Sequence, residues 1–335
     1  MTLHDLSFQA MGCEIRVLVG EPLPGSPPAG DAAERARLFI AEFEAALSRF
    51  QPDSELTRFN EDPRAEVPAS PLLRDAVRAG LGAAERTDGL VDPTLLAAIV
   101  QAGYSESRAG VEPVALADAL ALAPERHPAR ARREAEWRLI EIDDEAGTIR
   151  RPPGVGFDTG GSGKGLAADL LAERLRGYSR YVIDCGGDVR LGGFALQLDP
   201  FPIHARHPVD DEAAAIFYVS TGGIASSGID TRVWRRVDGT FAHHLLNPST
   251  GEPAWTGLVG VTALGTTALE AETLSKAALL SGPEAGRELL AERGGMLVDE
   301  TGEVELVGPV SAKLVGRRSL GLPSVPATAA GGGPR

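Results

Sequence analysis

The chain has 335 residues, and its 33 basic and 47 acidic side chains give a formal net charge of −14. This acidic balance argues against nucleic acid or an anionic membrane as the main partner, because both attract basic surfaces. Two cysteines are too few for a disulfide framework or a cysteine-based zinc site. We find no pattern of a signal peptide or membrane span, so we expect a cytoplasmic protein without a membrane anchor.

Helices are predicted for much of the first half of the chain. A strand is expected over 5–19, and apolar residues at helical spacing then predict helices over 34–50, 71–89, 92–104 and 114–123. Strands are expected at 137–143 and from 148, followed by a short strand that runs into Asp158. A helix is predicted over 166–177, after a glycine-rich turn.

Strands dominate the second half. The segment 181–193 predicts a strand, a tight glycine turn and a second strand, and further strands are expected between 203 and 265. A helix is predicted over 266–282, and a helix followed by a hairpin over 288–308. Helices that precede strands with inserted helices indicate an α+β fold rather than a regular βαβ winding.

Lysine and asparagine are rare in this chain. The lysines are Lys164, Lys276 and Lys313, and the asparagines are Asn60 and Asn247. A lysine ammonium is a compact point charge, whereas an arginine guanidinium is a broad planar fork. In a chain that uses arginine for nearly all its basic residues, we expect lysine where a point charge is required.

One of these lysines lies in the most informative segment, FDTGGSGKGLAADLL (157–171). Glycines before a helix let backbone N–H groups approach a phosphate, and the start of a helix favours anions. The segment is not a P-loop, because Asp158 and Gly165 stand at two of its required positions, and Leu166 breaks the dinucleotide-binding glycine pattern. A flexible turn before a helix is the alternative, but Lys164 favours a phosphate or pyrophosphate ligand.

Three other segments have more than one interpretation. DCGGDVR (184–190) fits a hairpin turn or a carboxylate pair at a strand end. SSGIDTRVW (226–234) offers hydroxyl groups and Arg232. In AHHLLNPSTGEP (242–253), His244 is a candidate general base or ligand-orienting group, and a buried structural histidine is the alternative.

Two pairs of residues have spacings that suggest a contact. His204 and His207 suggest a metal site, but no acidic or histidine pattern of known type accompanies them. Glu272 and Lys276, four residues apart on the predicted helix, are expected to form an ion pair. An ordinary surface pair of this kind contributes about 0.3–0.5 kcal/mol.

In their order along the chain, these motifs resemble the FAD:protein FMN transferases, the ApbE-like family. The similar segments are MGC, SRFQPDSELTRFN, DGLVDPTLL, DTGGSGKGLAAD, CGGD, SSG, HHLLNPSTGEP and AETLSKAAL, which span about residues 8–285. The resemblance implies an α+β, T-fold-related architecture with mixed sheets, packed helices and an FAD cleft. We expect a single domain over 1–320 with two subregions. Residues 321–335 lack an apolar pattern and are expected to form a disordered tail.

The resemblance also implies a reaction. A member of this family binds FAD, breaks its pyrophosphate, releases AMP and leaves FMN on a threonine hydroxyl of an acceptor protein through a phosphoester. The expected partner is an acceptor protein with a threonine-containing FMN-binding motif. An FAD pyrophosphatase that forms FMN and AMP, or a non-catalytic flavin-binding protein, are the alternatives.

Individual site residues follow from the resemblance. The positions that match FAD contacts are Met11, Asn60, Leu90, Val91, Asp92, Asp158, Lys164 and Leu246. Gly161 matches the residue whose carbonyl ligates Mg²⁺ in the family. His244 or Asp158 is expected to accept the threonine proton, and the backbone N–H groups of 160–165 are expected to relieve phosphate charge.

The late helix departs from the family pattern. The family has D-x-x-x-T there, with both side chains ligating Mg²⁺, and this chain has Glu272 and Lys276. Glu272 remains a candidate metal ligand, but an ammonium cannot ligate a cation and repels it. We expect Lys276 to be a catalytic residue that neutralises pyrophosphate charge, and the dependence on Mg²⁺ to be weak or altered. An ordinary ion pair with Glu272 is the alternative.

Overall fold

A computed structural model describes residues 3–210 and 212–315, so the tail predicted over 321–335 lies outside the described residues. The strands in these ranges are, in chain order, β1 (His4–Ala10), β2 (Cys13–Val19), β3 (Glu66–Pro68), β4 (Glu141–Asp143), β5 (Thr148–Arg150), β6 (Tyr181–Cys185), β7 (Asp188–Gly192), β8 (Phe201–Arg206), β9 (Ala213–Val219), β10 (Gly222–Gly228), β11 (Val233–Arg235), β12 (Phe241–His243), β13 (Leu258–Gly265), β14 (Gly295–Asp299), β15 (Val304–Val307) and β16 (Ala312–Leu314).

Most helices lie in the first half of the described chain. In chain order they are α1 (Ala29–Leu47), α2 (Glu55–Glu61), α3 (Pro71–Arg86), α4 (Leu96–Gln101), α5 (Leu116–Leu122), α6 (Gly163–Arg174), α7 (Phe194–Leu198) and α8 (Ala268–Leu290), with a short 3-10 helix at Glu136–Leu139. Over the described ranges, no helix combines the length and apolar character needed to cross a bilayer.

An eight-stranded sheet forms the centre of the fold, in the order β1-β2-β6-β7-β10-β13-β14-β15. Neighbouring strands in it pair antiparallel. Smaller sheets have the orders β3-β5-β4, β16-β9-β8 and β11-β12. This combination of antiparallel sheets and packed helices is the α+β class that the sequence predicts.

Two hydrophobic cores hold the layers together. The first joins β2 and β6 to α1, α3 and α6, and it includes Ile15, Ile40 and Leu171. The second joins β13, β14 and β9 to α8, and it includes Val261 and Leu279. Because full burial of such an aliphatic side chain stabilises the fold by about 1.5–3 kcal/mol, these cores provide rigid walls for any site between them.

Side-chain caps fix where three helices begin. Ser54 accepts the Thr57 N–H at 3.0 Å before α2, and Ser70 accepts the Leu73 N–H at 3.2 Å before α3. Thr267 accepts the Glu270 N–H at 3.1 Å before α8. A hydroxyl at this position satisfies a backbone N–H that the helix leaves unpaired, so local sequence sets these boundaries.

The strand predicted over 5–19 is instead the hairpin of β1 and β2. Met11 and Gly12 form its two-residue turn with φ of 51° and 69°. Positive φ at both turn residues matches the twist of a tight hairpin, although a side chain such as that of Met11 disfavours it. The prediction failed because the apolar alternation continues through the turn.

The short strand predicted before Asp158 is absent, since the segment between β5 and α6 is irregular. Its place is fixed by Asn60, whose Oδ1 accepts the Phe157 N–H and whose Nδ2 donates to the Phe157 carbonyl, both at 2.8 Å. One amide side chain thus satisfies the two backbone groups that a neighbouring strand would otherwise pair.

The helices predicted over 266–282 and from 288 correspond to the two helical segments of α8, and the first of them ends at Gly282 as predicted. The break between the segments is at Gly282, where φ is 79° and ψ is 179°, immediately before Pro283. A residue with positive φ interrupts the helical hydrogen bonds, and glycine adopts that conformation without a steric penalty. The part of α8 before the break carries Glu272 and Lys276.

Candidate active site

A large cleft opens where the two cores meet. Its volume of about 930 Å³ is sufficient to enclose a cofactor-sized ligand. Phe43 of the first core and Met296 of the second both line it. Most of the residues predicted for the site lie on its surface, namely Met11, Leu90, Val91, Asp92, Asp158, Gly161, Lys164, His244, Leu246 and Lys276.

The start of α6 leaves two backbone donors unpaired at the cleft. Four of the N–H groups predicted to relieve phosphate charge are used internally: Gly160 donates to Asp158, Ser162 and Gly163 donate to Thr159, and Gly165 donates to Glu272. Among the described residues, the N–H groups of Gly161 and Lys164 have no hydrogen-bond partner. Only these two of the N–H groups that the structure describes at 160–165 are free to bind a phosphate, at a helix end that also favours an anion.

α6 and α8 begin against each other. A Cβ on Gly165 would lie 2.7 Å from the backbone of Leu269, so only glycine permits this approach. Asp169 of α6 accepts the N–H groups of Ala268 and Leu269 at 2.9 and 3.0 Å, and it therefore caps α8. Arg190 lies 3.2 Å from the same carboxylate. These contacts fix the position of α8 relative to the glycine-rich turn.

Two ion pairs meet at this junction. The Lys164 ammonium donates to Asp188 at the start of β7, and the Lys276 ammonium donates to Glu272 Oε1 at 2.8 Å. Glu272 Oε2 accepts the Gly165 N–H, also at 2.8 Å. Both carboxylates are buried, whereas both lysines line the cleft with side chains 22% and 11% exposed. We call Lys164, Asp188, Glu272 and Lys276 the lysine–carboxylate cluster.

Electrostatic coupling within the cluster changes its pKa values. Burial opposes the charge on Lys164, but Asp188 and Glu272 outweigh it and raise the pKa of the ammonium. Burial raises the pKa of Asp188 to about 6, against the lowering effect of Lys164. Burial also acts to raise the pKa of Glu272, but the two lysines outweigh it and lower that pKa. Lys164, Asp188 and Glu272 are therefore ionised at neutral pH.

His244 follows β12 and lines the cleft. In the described part of the chain neither of its ring nitrogens has a hydrogen-bond partner, and Nδ1 is buried, which leaves Nε2 accessible. Burial, and then the charge of Arg232, lower the pKa of His244 well below its usual value. The ring is therefore neutral near pH 7 and able to accept a proton.

The adjacent His243 is a structural residue. It is fully buried, and its Nδ1 accepts the Leu245 N–H at 3.3 Å. Its ring packs edge-on against Trp255 with centroids 4.7 Å apart, and burial lowers its pKa to about 3. Of the paired histidines, only His244 reaches the cleft.

Asp158 lies at the cleft just before α6, with its carboxylate already engaged. Oδ1 accepts the Gly160 N–H at 3.1 Å and lies 3.6 Å from Arg49 Nε. The Arg49 guanidinium in turn lies over the Tyr104 ring, 4.7 Å from its centroid. Because these contacts engage Oδ1 of Asp158, whereas Nε2 of His244 is accessible and has no partner among the described residues, the geometry favours His244 as the base.

Leu90, Val91 and Asp92 form part of one wall. The Asp92 carboxylate is 1% exposed, accepts the Thr94 N–H at 2.8 Å and lies 3.3 Å from Arg132 Nε. Asp92 therefore fixes the conformation of the loop at 92–94. The apolar side chains of Leu90 and Val91 are better placed to contact a ligand ring.

The comparisons with known proteins agree with this geometry. The sequence pattern of the ApbE family matches residues 11–298. The chain belongs to the ApbE family. It is 31% identical over 257 residues to the FAD:protein FMN transferase of Klebsiella pneumoniae (strain 342), covering 74% of this chain and 70% of that protein. It is 29% identical over 256 residues to the protein of the same name from Salmonella typhimurium, with the same coverage.

Solved structures of the ApbE family share the fold. The ApbE protein of Thermotoga maritima superposes with a TM-score of 0.74 at 24% identity, covering 91% of this chain and 97% of that one. The flavin transferase ApbE of Vibrio cholerae superposes with a TM-score of 0.69 at 21% identity, with the same coverage of both chains. The family resemblance and the ApbE-like α+β architecture predicted from the motifs are thus confirmed.

Two residues predicted for the ApbE site do not line the cleft. Asn60 forms hydrogen bonds to the Phe157 backbone with both of its amide atoms, and its contact with FAD stays a prediction. Glu272 is fully buried beneath Lys276. Each supports a neighbour that does line the cleft, Asp158 in the first case and Lys276 in the second.

Four arginines of the described chain line the cleft. Arg206 is paired with Asp230, and no role was predicted for the other three, Arg49, Arg108 and Arg232. Together with Tyr104 we call them the arginine–aromatic rim. Arg232 has no ion-pair or hydrogen-bond partner within the described ranges, and its guanidinium lies 5.9 Å from the Tyr104 centroid. Arg108 lies 4.5 Å from the centroid of Trp234. The available signals were the position of Arg49 inside the segment SRFQPDSELTRFN and that of Arg232 four residues after the SSG segment.

The Mg²⁺ site implied by the ApbE family does not fit the residues present. Mg²⁺ requires oxygen ligands in near-octahedral geometry. Both oxygens of Glu272 are already used, and the Lys276 ammonium stands 2.8 Å from one of them. Over the described ranges, no group of three or more His, Cys, Asp or Glu side chains is arranged to hold a metal. Gly161 lines the cleft but has no second predicted ligand able to join it. His207, whose spacing from His204 suggested a separate metal site, uses its Nε2 in a hydrogen bond with the Gly302 carbonyl at 3.1 Å.

Proposed function

We propose that this protein transfers FMN from FAD to a threonine hydroxyl of an acceptor protein and releases AMP. The observation that carries the proposal is the meeting of two lysine ammonium groups with an unpaired, neutral His244 in one cleft. The curated relatives from Klebsiella pneumoniae and Salmonella typhimurium are named FAD:protein FMN transferases, which supports FAD as the donor.

In this proposal the pyrophosphate of FAD lies beside Lys164 and Lys276, in the part of the cleft formed by the starts of α6 and α8, which we call the cleft floor. There the two ammonium groups and the free N–H groups of Gly161 and Lys164 stabilise charge on the non-bridging oxygens. Met11, Leu90, Val91 and Leu246 offer apolar surface for the ring systems. Asp158 orients the start of α6, and Asn60 supports it from behind.

The chemical step is a substitution at phosphorus. The threonine oxygen attacks the phosphorus of the FMN half, a new P–O bond forms, and the bond from that phosphorus to the bridging oxygen breaks. AMP departs with the bridging oxygen and its electron pair, so FMN stays on the acceptor as a phosphoester. No oxidation or reduction accompanies the step.

His244 is the proposed base for the threonine proton. Burial holds the ring neutral, and the tautomer with its proton on Nδ1 presents the accessible Nε2 as the proton acceptor. The negative charge of bound FAD would raise the pKa of His244 and so increase its basicity at the moment of transfer. Asp158 is the alternative base, and its contacts with Gly160 and Arg49 make it less suited.

The expected partner is an acceptor protein that presents threonine in an FMN-binding motif. Such an acceptor would deliver its hydroxyl to the pyrophosphate through the open side of the cleft and exclude water from it. A cytoplasmic location and the lack of nucleic-acid partners stay predictions from the sequence.

The proposal is tested with purified protein, FAD and an acceptor domain that carries the threonine motif. Intact-mass measurement of the acceptor and chromatography of released nucleotides are the readouts. We expect a mass gain equal to FMN on the acceptor, one AMP per FMN, and no gain when the motif threonine is replaced by valine.

Two other outcomes would contradict the transferase proposal. Release of AMP with free FMN, and an unmodified acceptor, would identify an FAD pyrophosphatase. A stable yellow complex that releases no AMP would identify a flavin-binding protein without turnover.

A further inference from the structure

The lysine–carboxylate cluster places a permanent cation where the ApbE pattern has a metal ligand. Lys276 reaches the cleft from α8, and its ammonium is aligned by Glu272 Oε1 at 2.8 Å. Glu272 is in turn fixed by the Gly165 N–H, from the first turn of α6. The ammonium is therefore anchored to both helices that form the cleft floor.

This ammonium retains capacity for a ligand. It has three N–H donors, and one of them is used, on Glu272. Lys164 likewise uses one donor, on Asp188. Four donors thus remain on two groups that line the cleft, in addition to the unpaired guanidinium of Arg232.

The choice of lysine supports a specific role at this position. The chain has 33 basic residues, only three of which are lysines, and two of the three lie in the cluster. A compact ammonium approaches a single phosphate oxygen, as a metal ion does, whereas a guanidinium is broad and planar. A surface ion pair would be equally well served by arginine.

We propose that the Lys276 ammonium, held by Glu272, replaces the divalent cation in this chain, so that FAD binding and FMN transfer need no metal. The inference rests on the proposed function and adds which group supplies the positive charge beside the pyrophosphate. A cation bound beside Glu272 would have to displace the Gly165 and Lys276 contacts and would meet the ammonium at close range, which makes metal binding unfavourable. Charge relief at the transferred phosphorus then comes from Lys276 and Lys164.

The first experiment compares the wild-type protein in EDTA and in excess Mg²⁺. FMN transfer to the acceptor domain and the Kd for FAD, from quenching of flavin fluorescence, are both measured. We expect the same rate and the same Kd in the two conditions. Transfer that requires Mg²⁺, or a Kd that tightens about tenfold or more with Mg²⁺, would overturn the inference while leaving the transferase activity in place.

The second experiment converts the site. In Glu272→Asp/Lys276→Thr, the pair offers two oxygen ligands and no ammonium. We expect slow transfer in EDTA, rescue by Mg²⁺, and an FAD affinity that becomes dependent on Mg²⁺. In Lys276→Met, the rate should fall about 10²–10³-fold and Mg²⁺ should not restore it. Wild-type activity in Lys276→Met would overturn the inference.

Controls separate folding from chemistry. Lys313→Met removes the third lysine, which lies on β16 and does not line the cleft, and should leave rate and affinity unchanged. Glu272→Gln/Lys276→Met removes both charges, so a loss of activity in this folded variant cannot be assigned to an unpaired buried carboxylate. If the wild type shows no turnover in any buffer, the proposed function fails. The effect of Mg²⁺ on the Kd for FAD then still decides the metal question.

Discussion

The cleft carries positive charge in two regions that hold it in different ways. On the floor, Lys164 and Lys276 are tied to buried carboxylates and anchored to helix starts. On the arginine–aromatic rim, Arg49 lies over an aromatic ring, and Arg232 has no ion-pair or hydrogen-bond partner in the described part of the chain.

This difference indicates that the two regions have different functions, one in catalysis and the other in FAD binding. A cation fixed by a buried partner can be aimed at one atom but its charge is partly compensated, which suits stabilisation of a transition state. The Arg232 guanidinium has no carboxylate partner among the described residues and can adapt to planar or phosphate groups, which suits binding. We therefore expect floor variants to change kcat and rim variants to change FAD affinity.

The largest effect is expected at the floor, from Lys164→Met. Loss of the ammonium should lower FMN transfer about 10³-fold. It should also destabilise the fold by about 3–5 kcal/mol, because Asp188 is left buried without its partner. Transfer assays and denaturant unfolding measure the two effects. The double variant Lys164→Met/Asp188→Asn should recover most of the stability and none of the activity, and recovered activity would refute the role of Lys164.

A second large effect is expected from His244→Gln. Because this change removes the base but keeps the polar side chain, kcat should fall about 10²–10⁴-fold while the Kd for FAD changes little. Steady-state transfer kinetics and fluorescence titration measure the two quantities. Asp158→Asn is the matched comparison. A greater loss of kcat in Asp158→Asn than in His244→Gln would assign the base to Asp158.

At the rim, Arg232→Gln should weaken FAD binding about tenfold, which corresponds to about 1.4 kcal/mol, and leave kcat nearly unchanged. This variant loses a guanidinium charge that no acidic side chain in the described ranges compensates, and it leaves Lys164 and Lys276 at the cleft floor unchanged. Arg235→Gln, outside the cleft, serves as the control. A fall in kcat without weaker FAD binding would contradict the assignment of binding to the rim and of catalysis to the floor.

The smallest effect is a pH dependence of FAD affinity. The pKa of Asp188 is raised to about 6, so its carboxyl takes up a proton as the pH falls through 6. The cluster then changes from neutral to a net charge of +1, and FAD should bind a few-fold more tightly at pH 5.5 than at pH 7.5. Fluorescence titrations at several pH values measure this. Asp188→Asn should make the profile flat, and weaker binding at low pH in the wild type would contradict the prediction.

Features fixed by nearby residues were predictable from the sequence. The helix α3 begins at its serine cap and Pro71, and the β6–β7 hairpin turns at Gly186 and Gly187, because caps and turns depend on a few adjacent residues. The order of motifs was sufficient to identify the ApbE family, since each motif is a local string. The hairpin turn at Met11 was missed because its signal is a backbone angle rather than a residue pattern.

Contacts between distant parts of the chain had no such signal. Asn60 reaches Phe157 across 97 residues, and Gly165 meets Glu272 across 107, so neither contact follows from local spacing. From the sequence, Glu272 and Lys276 are four residues apart on a helix and fit an ordinary surface pair. Only the packing of α6 against α8 buries the carboxylate and brings the ammonium to the cleft. Local strings of residues determined the family and most of the elements. Burial and charge at the cleft floor were decided by tertiary packing, because both depend on which distant surfaces exclude water from the same pair of side chains.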